Sequence, residues 1–144
     1  MKNIHVLKTD KPSRVHKDSE FFISPKYQIS KQINSIVEGK NIYITSDEEI
    51  KEGDWVMEFQ KGDNIGEVHF INSQYVIARN IQKKIILTTD QDLIKDGVQA
   101  LDDEFLEWFV NNSSCEEVEV QKGFADGTNW GYNFLDYKII IPNN

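Results

Sequence analysis

From Asn41 to Thr88 the apolar side chains recur every second residue, and the links between runs are too short for a crossover. No other feature constrains the chain as much. Asn41–Thr45, Asp54–Gln60, Gly66–Ile71, Gln74–Arg79 and Lys83–Thr88 are rich in Ile, Val, Tyr and Phe, which suit a pleated, half-buried surface. Lys61–Ile65, with its Gly62-Asp63-Asn64, reads as a loop, and Asn72-Ser73 as a tight hairpin. A parallel return needs about a dozen residues or more, so strands joined this way must pair antiparallel. The expectation is a sequential meander closed into a small, twisted, barrel-like sheet. Alternation at Val56/Glu58 and Glu67/Val68 predicts one buried face and one wet face.

Around this block the period becomes helical. Ile29, Ile33, Ile36 and Val37 make one stripe that Gly39 is placed to end, predicting a helix over Ile29–Glu38. Asp90–Lys95 fits a short helical turn stopped by Gly97. Leu101–Val110 carries a complete start signal: Asp102 as N-cap, acidic residues in the first turn, and Leu101 positioned to staple onto Leu106. Ile4–Leu7 alternates like a strand before the chain turns polar at Thr9–Ser13. Glu117–Lys122 and Tyr137–Ile141 read as two final strands before Pro142. The fold class is therefore α+β: an antiparallel barrel-like sheet with two or three short helices packed on it. A length of 144 residues suits one domain, 1–144, made of a basic segment with a helix (1–40) and an acidic β-rich body (41–144). Ile44, Trp55, Val56, Val68, Phe70, Val76, Ile86, Phe105 and Phe109 are the expected core.

Composition narrows the class. With 39% hydrophobic and 28% charged residues the chain is neither disordered nor fibrous. No window approaches the ~18 apolar residues of a membrane helix, and the N-terminus has no apolar h-region, so neither a membrane nor secretion is signalled. One cysteine, Cys115, excludes an internal disulfide framework and a Cys-based zinc cluster, and fits a reducing cytoplasm. Charge is unevenly spread. Residues 1–40 hold eight basic and four acidic side chains; residues 41–144 hold eight basic and twenty acidic, and Asp90–Glu119 holds ten carboxylates against Lys95 alone. Such a field repels nucleic acid and suits a basic partner, or a basic N-terminal segment folded back onto the acidic body.

No strong catalytic signature is present: no phosphate-binding glycine loop, no H-E-x-x-H and no C-x-x-C. His5, His16 and His69 fall on different elements, and a His5/His69 metal pair is less expected than ordinary structural histidines. Cys115 sits among Glu116, Glu117 and Glu119, whose charge suppresses a thiolate. Asp90–Gly97 fails the EF-hand spacing, since Ile94, Lys95 and Leu101 stand where ligands or glycine belong. No cofactor and no metal are expected. Gly123–Leu135 is different in kind, with Phe124, Trp130, Tyr132 and Phe134 among glycines and asparagines, the composition of an adaptable recognition loop or of a lid that closes the sheet.

Ser46–Trp55, Lys84–Asp90, Asp96–Val110 and the ending Tyr137–Pro142 together resemble a family of uncharacterised proteins of bacterial viruses and prophages. The resemblance spans about Asn41–Val120 plus the last strand and implies a viral setting inside a bacterial host, with no activity and no catalytic residues to carry over. Ile50-Lys51-Glu52-Gly53-Asp54-Trp55-Val56 also looks like the loop-into-strand entry of small RNA- or nucleotide-binding barrels of the PUA/ASCH kind.

The expected function is a non-enzymatic accessory protein that binds a host or viral macromolecule, a protein before a nucleic acid. The acidic helix face (Asp102, Asp103, Glu104, Glu107) and the aromatic loop (Phe124, Trp130, Tyr132) are the expected contacts. A homodimer made by symmetric pairing of two such loops is a second form the same contact could take. The alternative is a PUA/ASCH-like barrel holding RNA or a nucleotide, with the basic N-terminal segment on phosphate.

Overall fold

The computed structural model describes residues 2–28, 38–59, 66–72, 77, 78, 80–122 and 137–142. In chain order the elements are β1 (Ile4–Thr9), β2 (Ser13–Lys17), β3 (Phe21–Gln28), β4 (Glu38–Ser46), β5 (Trp55–Phe59), β6 (Gly66–Phe70), β7 (Gln82–Thr88), α1 (Gln91–Lys95), β8 (Gln99–Ala100), α2 (Asp103–Asn111), β9 (Glu119–Lys122) and β10 (Tyr137–Ile140). Eight strands form one mostly antiparallel sheet with the path β3-β2-β4-β7-β5-β6, while β9 and β10 form a separate antiparallel pair. The α+β class holds. Pairings among the described strands do not close the sheet into a barrel.

β4 is the hub. Lys40 pairs with Lys8 of β1 and with Val15 of β2, and Tyr43 pairs with His5 of β1 and with Thr88 of β7. β1 therefore lines one edge of β4, while β2 and then β7 share the other. A register shift between Ile44 and Thr45 marks a bulge there, which sharpens the local twist.

The expected sequential meander is corrected by this order, because β7 separates β4 from β5. The reason is burial. Ile85, Ile86, Leu87 and Thr88 are all buried, as are Asn41 through Thr45, so both strands need cover on both faces and take the centre. Ile42 and Ile44 enter one cluster with Phe105, Leu106 and Phe109 of α2; Tyr43, between them, enters another with Met57 and Leu93. The expectation of one wet face fails for these two strands. Trp55, Val68 and Phe70, expected in the core, lie on the outer strands and are only partly buried. Ile44, Val56, Ile86, Phe105 and Phe109 are buried as expected, and Val76 lies outside the described residues.

The N-terminal segment is richer in strands than its polar composition indicates. After the turn at Asp10–Pro12 it forms β2 and β3. Glu38 and Gly39, expected at the end of a helix, open β4 instead, because β2 pairs with both and β1 pairs with Gly39 on the other edge. The rest of that expected helix, 29–37, lies outside the described residues, as does most of the expected strand 74–79.

α2 forms where its capping residues place it. The Asp102 side chain accepts from the Phe105 backbone N–H at 2.8 Å, and Asp103 and Glu104 occupy the positive first turn. Asp102→Ala is expected to destabilise the fold by about 1 kcal/mol. Asp102→Asn should be nearly neutral, and urea unfolding of both variants checks the cap. α1 ends in a Schellman arrangement. Val98 N–H reaches the Leu93 carbonyl at 3.0 Å, Gly97 N–H reaches that of Ile94 at 3.1 Å, and Gly97 takes φ 105°. After α2 the chain is tied to the start of β1. Asn3 Nδ2 donates to the Val118 carbonyl at 2.8 Å, and Asn3 Oδ1 accepts from Val118 N–H at 3.0 Å.

Candidate functional site: an acidic groove with aromatic walls

The basic N-terminal residues lie against the acidic body. Lys11, between β1 and β2, pairs with Asp92 of α1, and Arg14 of β2 pairs with Asp103 of α2 at 2.5 Å. The hydrogen bond and charge of Lys11 hold the Asp92 carboxyl below its ordinary pKa, and Asp92 raises that of Lys11 in return. Lys40, then Lys8, lower Glu38 in the same way.

The acidic helix face is thereby divided in its roles. Asp102 is exposed, but its side chain caps α2. Asp103 is held by Arg14. Glu104 and Glu107 are exposed and make no ion pair among the described residues. Phe124, Trp130 and Tyr132 lie outside the described residues. The remaining candidates of the sequence do not converge. His69 sits on β6 beside Glu67 (3.2 Å), and β4, β7 and β5 intervene between it and His5 on β1, so the two are not on neighbouring strands. The Cys115 thiol donates to the Glu117 carbonyl at 3.0 Å. Among the described residues, no three His, Cys, Asp or Glu side chains are grouped to hold a metal.

What the sequence reading missed is a groove over β7. Two adjoining cavities, about 250 and 370 Å³, share Ile86 as floor and Tyr137 of β10 as wall. Asp47, Glu48 and Glu117 line the first, Asp54 and Asp96 the second, against one lysine in each, Lys83 and Lys84. Lys83 lies 3.8 Å from Asp47 and Lys84 lies 3.6 Å from Asp54, so carboxylates outnumber lysines in the lining of both cavities.

Two glycine turns build the larger cavity. Gly53, at φ 96°, lets Asp54 N–H reach the Lys51 carbonyl (3.1 Å), and the Asp54 carboxylate accepts from Lys51 N–H (2.8 Å). The turn is fixed to the end of β6 by Gly53 N–H on the Ile71 carbonyl at 2.8 Å. Trp55 follows at once, so its indole stands at the cavity, tilted against Phe70 (5.1 Å between ring centres). The Gly97 turn presents Asp96 opposite, and the Trp55 indole N–H donates to Asp96 Oδ2 at 2.6 Å. The signal for this site was present as Gly53-Asp54-Trp55 and Asp96-Gly97, but no local pattern says that two turns 41 residues apart meet.

Compared with models of protein families, with curated proteins and with solved structures, the chain matches none.

Proposed function

We propose that this chain is a non-enzymatic accessory protein of a bacterial virus or prophage, acting in the host cytoplasm, whose acidic surface binds a basic macromolecular partner. One observation carries the reading. The N-terminal cations Lys11 and Arg14 neutralise only Asp92 and Asp103, while Glu104, Glu107, Glu116 and Glu119 stay exposed with no ion pair among the described residues. A surface of one sign speeds encounter with an oppositely charged protein and repels nucleic acid. Cys115, the only thiol, donates its S–H to the Glu117 backbone carbonyl at 3.0 Å. The aromatic segment Gly123–Leu135 contributes Trp and Tyr, the residues in which interfaces concentrate binding energy.

The competing reading is a PUA/ASCH-like barrel for RNA or a nucleotide. It needs the N-terminal cations on phosphate, and Lys11 and Arg14 are engaged by carboxylates instead.

Binding measured by interferometry against an arginine-rich protein and against single-stranded RNA separates the two. The expected result is affinity for the basic protein that falls about tenfold or more between 50 and 300 mM salt, and again in the double variant Glu104→Lys, Glu107→Lys, with no RNA binding. Trp130→Ala should weaken the same complex by about 1–2 kcal/mol with the fold intact. RNA affinity equal to or above that for the protein would reject the reading.

A further inference from the structure

The cavity between Trp55 and Tyr137 is more specific than a merely acidic surface. We propose that it is a subsite for a single guanidinium, the arginine side chain of the basic partner; this rests on the function proposed above and names where one partner residue enters. Charge is the first argument. Lys84 is matched by Asp54 at 3.6 Å, whereas Asp96 makes no ion pair among the described residues, so the lining keeps one uncompensated negative charge. The neighbouring cavity, joined at Ile86 and Tyr137, adds three more carboxylates and one lysine. A phosphate-bearing ligand would meet that field unfavourably; a cation meets it favourably.

The aromatic walls give the second argument. The Trp55 N–H is already donated to Asp96, so the indole has no polar handle left and offers its π system alone. Donation to a carboxylate also enriches the ring in electron density, which strengthens its attraction for a cation. An Arg guanidinium is planar and weakly hydrated, so it can stack on a ring while its N–H groups reach a carboxylate, a combination lysine satisfies less well. A cavity of about 370 Å³ accommodates such a side chain.

The third argument is preorganisation. Asp96 is the C-cap of α1 and Trp55 opens β5, and the turns behind them are closed by backbone hydrogen bonds of 2.8–3.1 Å. Neither side chain must be ordered by the ligand, which lowers the cost of binding.

The test is nitrogen-edited NMR of the full chain titrated with acetyl-Gly-Arg-Gly-amide, its citrulline analogue, and adenosine monophosphate. Of the three tryptophan indole N–H signals, that of Trp55 is identified by its loss in Trp55→Phe. The arginine peptide should shift this signal saturably, with citrulline at least about fivefold weaker, as expected when the cationic charge is lost. Asp96→Asn keeps an oxygen to accept the indole N–H and removes only the charge, so it should weaken the arginine peptide by about fivefold or more with an unchanged spectrum elsewhere. Equal shifts with citrulline, an Asp96→Asn titration like that of the parent chain, or saturation by the nucleotide alone would overturn the subsite. If the arginine-rich protein still binds and Glu104→Lys with Glu107→Lys still weakens it while Asp96→Asn does not, the subsite fails and the proposed function stands.

Discussion

Phe105→Ala is expected to lower the unfolding free energy by about 3–5 kcal/mol, a large part of what a domain of this size has. Phe105 is 1% exposed and lies in the cluster that joins α2 to Ile42 and Ile44 of β4. Its ring centre is 5.6 Å from that of Trp108 and 6.0 Å from that of Phe109, and Phe109 in turn meets Phe21 of β3 at 5.5 Å. Removing the ring opens a cavity where α2 covers the centre of the sheet, and the β4 backbone cannot move to fill it without breaking pairs on both edges. Urea unfolding with an unchanged m-value checks this, and a loss below about 1 kcal/mol would mean that α2 is not a cover on which the fold depends. Phe105→Leu should cost much less, since most of the volume is kept. The result bears on binding as well, because α2 is the element that presents Glu104 and Glu107.

The second large effect is a loss of stability as pH falls from 6.5 to 4. His5 is 6% exposed, and burial, then the positive charges of Lys2 and Lys83, lower its pKa to about 4. Its Nε2 meets the Thr45 hydroxyl at 3.1 Å, and its ring packs 5.2 Å from that of Phe59. In the unfolded chain the same imidazole titrates at about 6.5. Between those values the unfolded state binds the proton and the folded state does not, so stability rises with pH across the window and is fully present above it. The size for His5 alone is about 3 kcal/mol. His16 acts in the same direction: it is fully buried, and burial lowers its pKa against a smaller opposing contribution from the Ser13 backbone. Urea midpoints at pH 7, 5.5 and 4 should fall in order, and His5→Gln should flatten most of the slope. A flat profile, or an undiminished slope in His5→Gln, contradicts the assignment.

Much of the local structure was legible in the residues. The cap at Asp102, the buried stripe Phe105, Leu106 and Phe109, the stop at Gly97 and the strand character around Trp55–Phe59, Gly66–Phe70 and Tyr137–Ile140 follow from near-neighbour chemistry, which a sequence carries directly. The α+β class follows from the same signals. The candidate acidic residues of α2 were also legible as exposed, although only the fold shows that Arg14 takes one of them and the helix N-terminus another.

Strand order was not legible, because it depends on which strand most needs cover. Short links require antiparallel neighbours only if consecutive strands are neighbours. The burial of Ile85, Ile86 and Leu87 draws β7 between β4 and β5 and overrides that local preference. The same long-range competition turns Glu38 and Gly39 into strand, since β2 claims the backbone of both and β1 that of Gly39 as well. It also makes the groove. Trp55 reads locally as an alternating core residue and Asp96 as a helix end. Only a sheet that brings the start of β5 beside the end of α1 joins them by a 2.6 Å hydrogen bond. Residues alone determined what each segment prefers to be; the tertiary structure decided which segments meet, because burial and backbone pairing are satisfied by the whole sheet and not by any stretch of it.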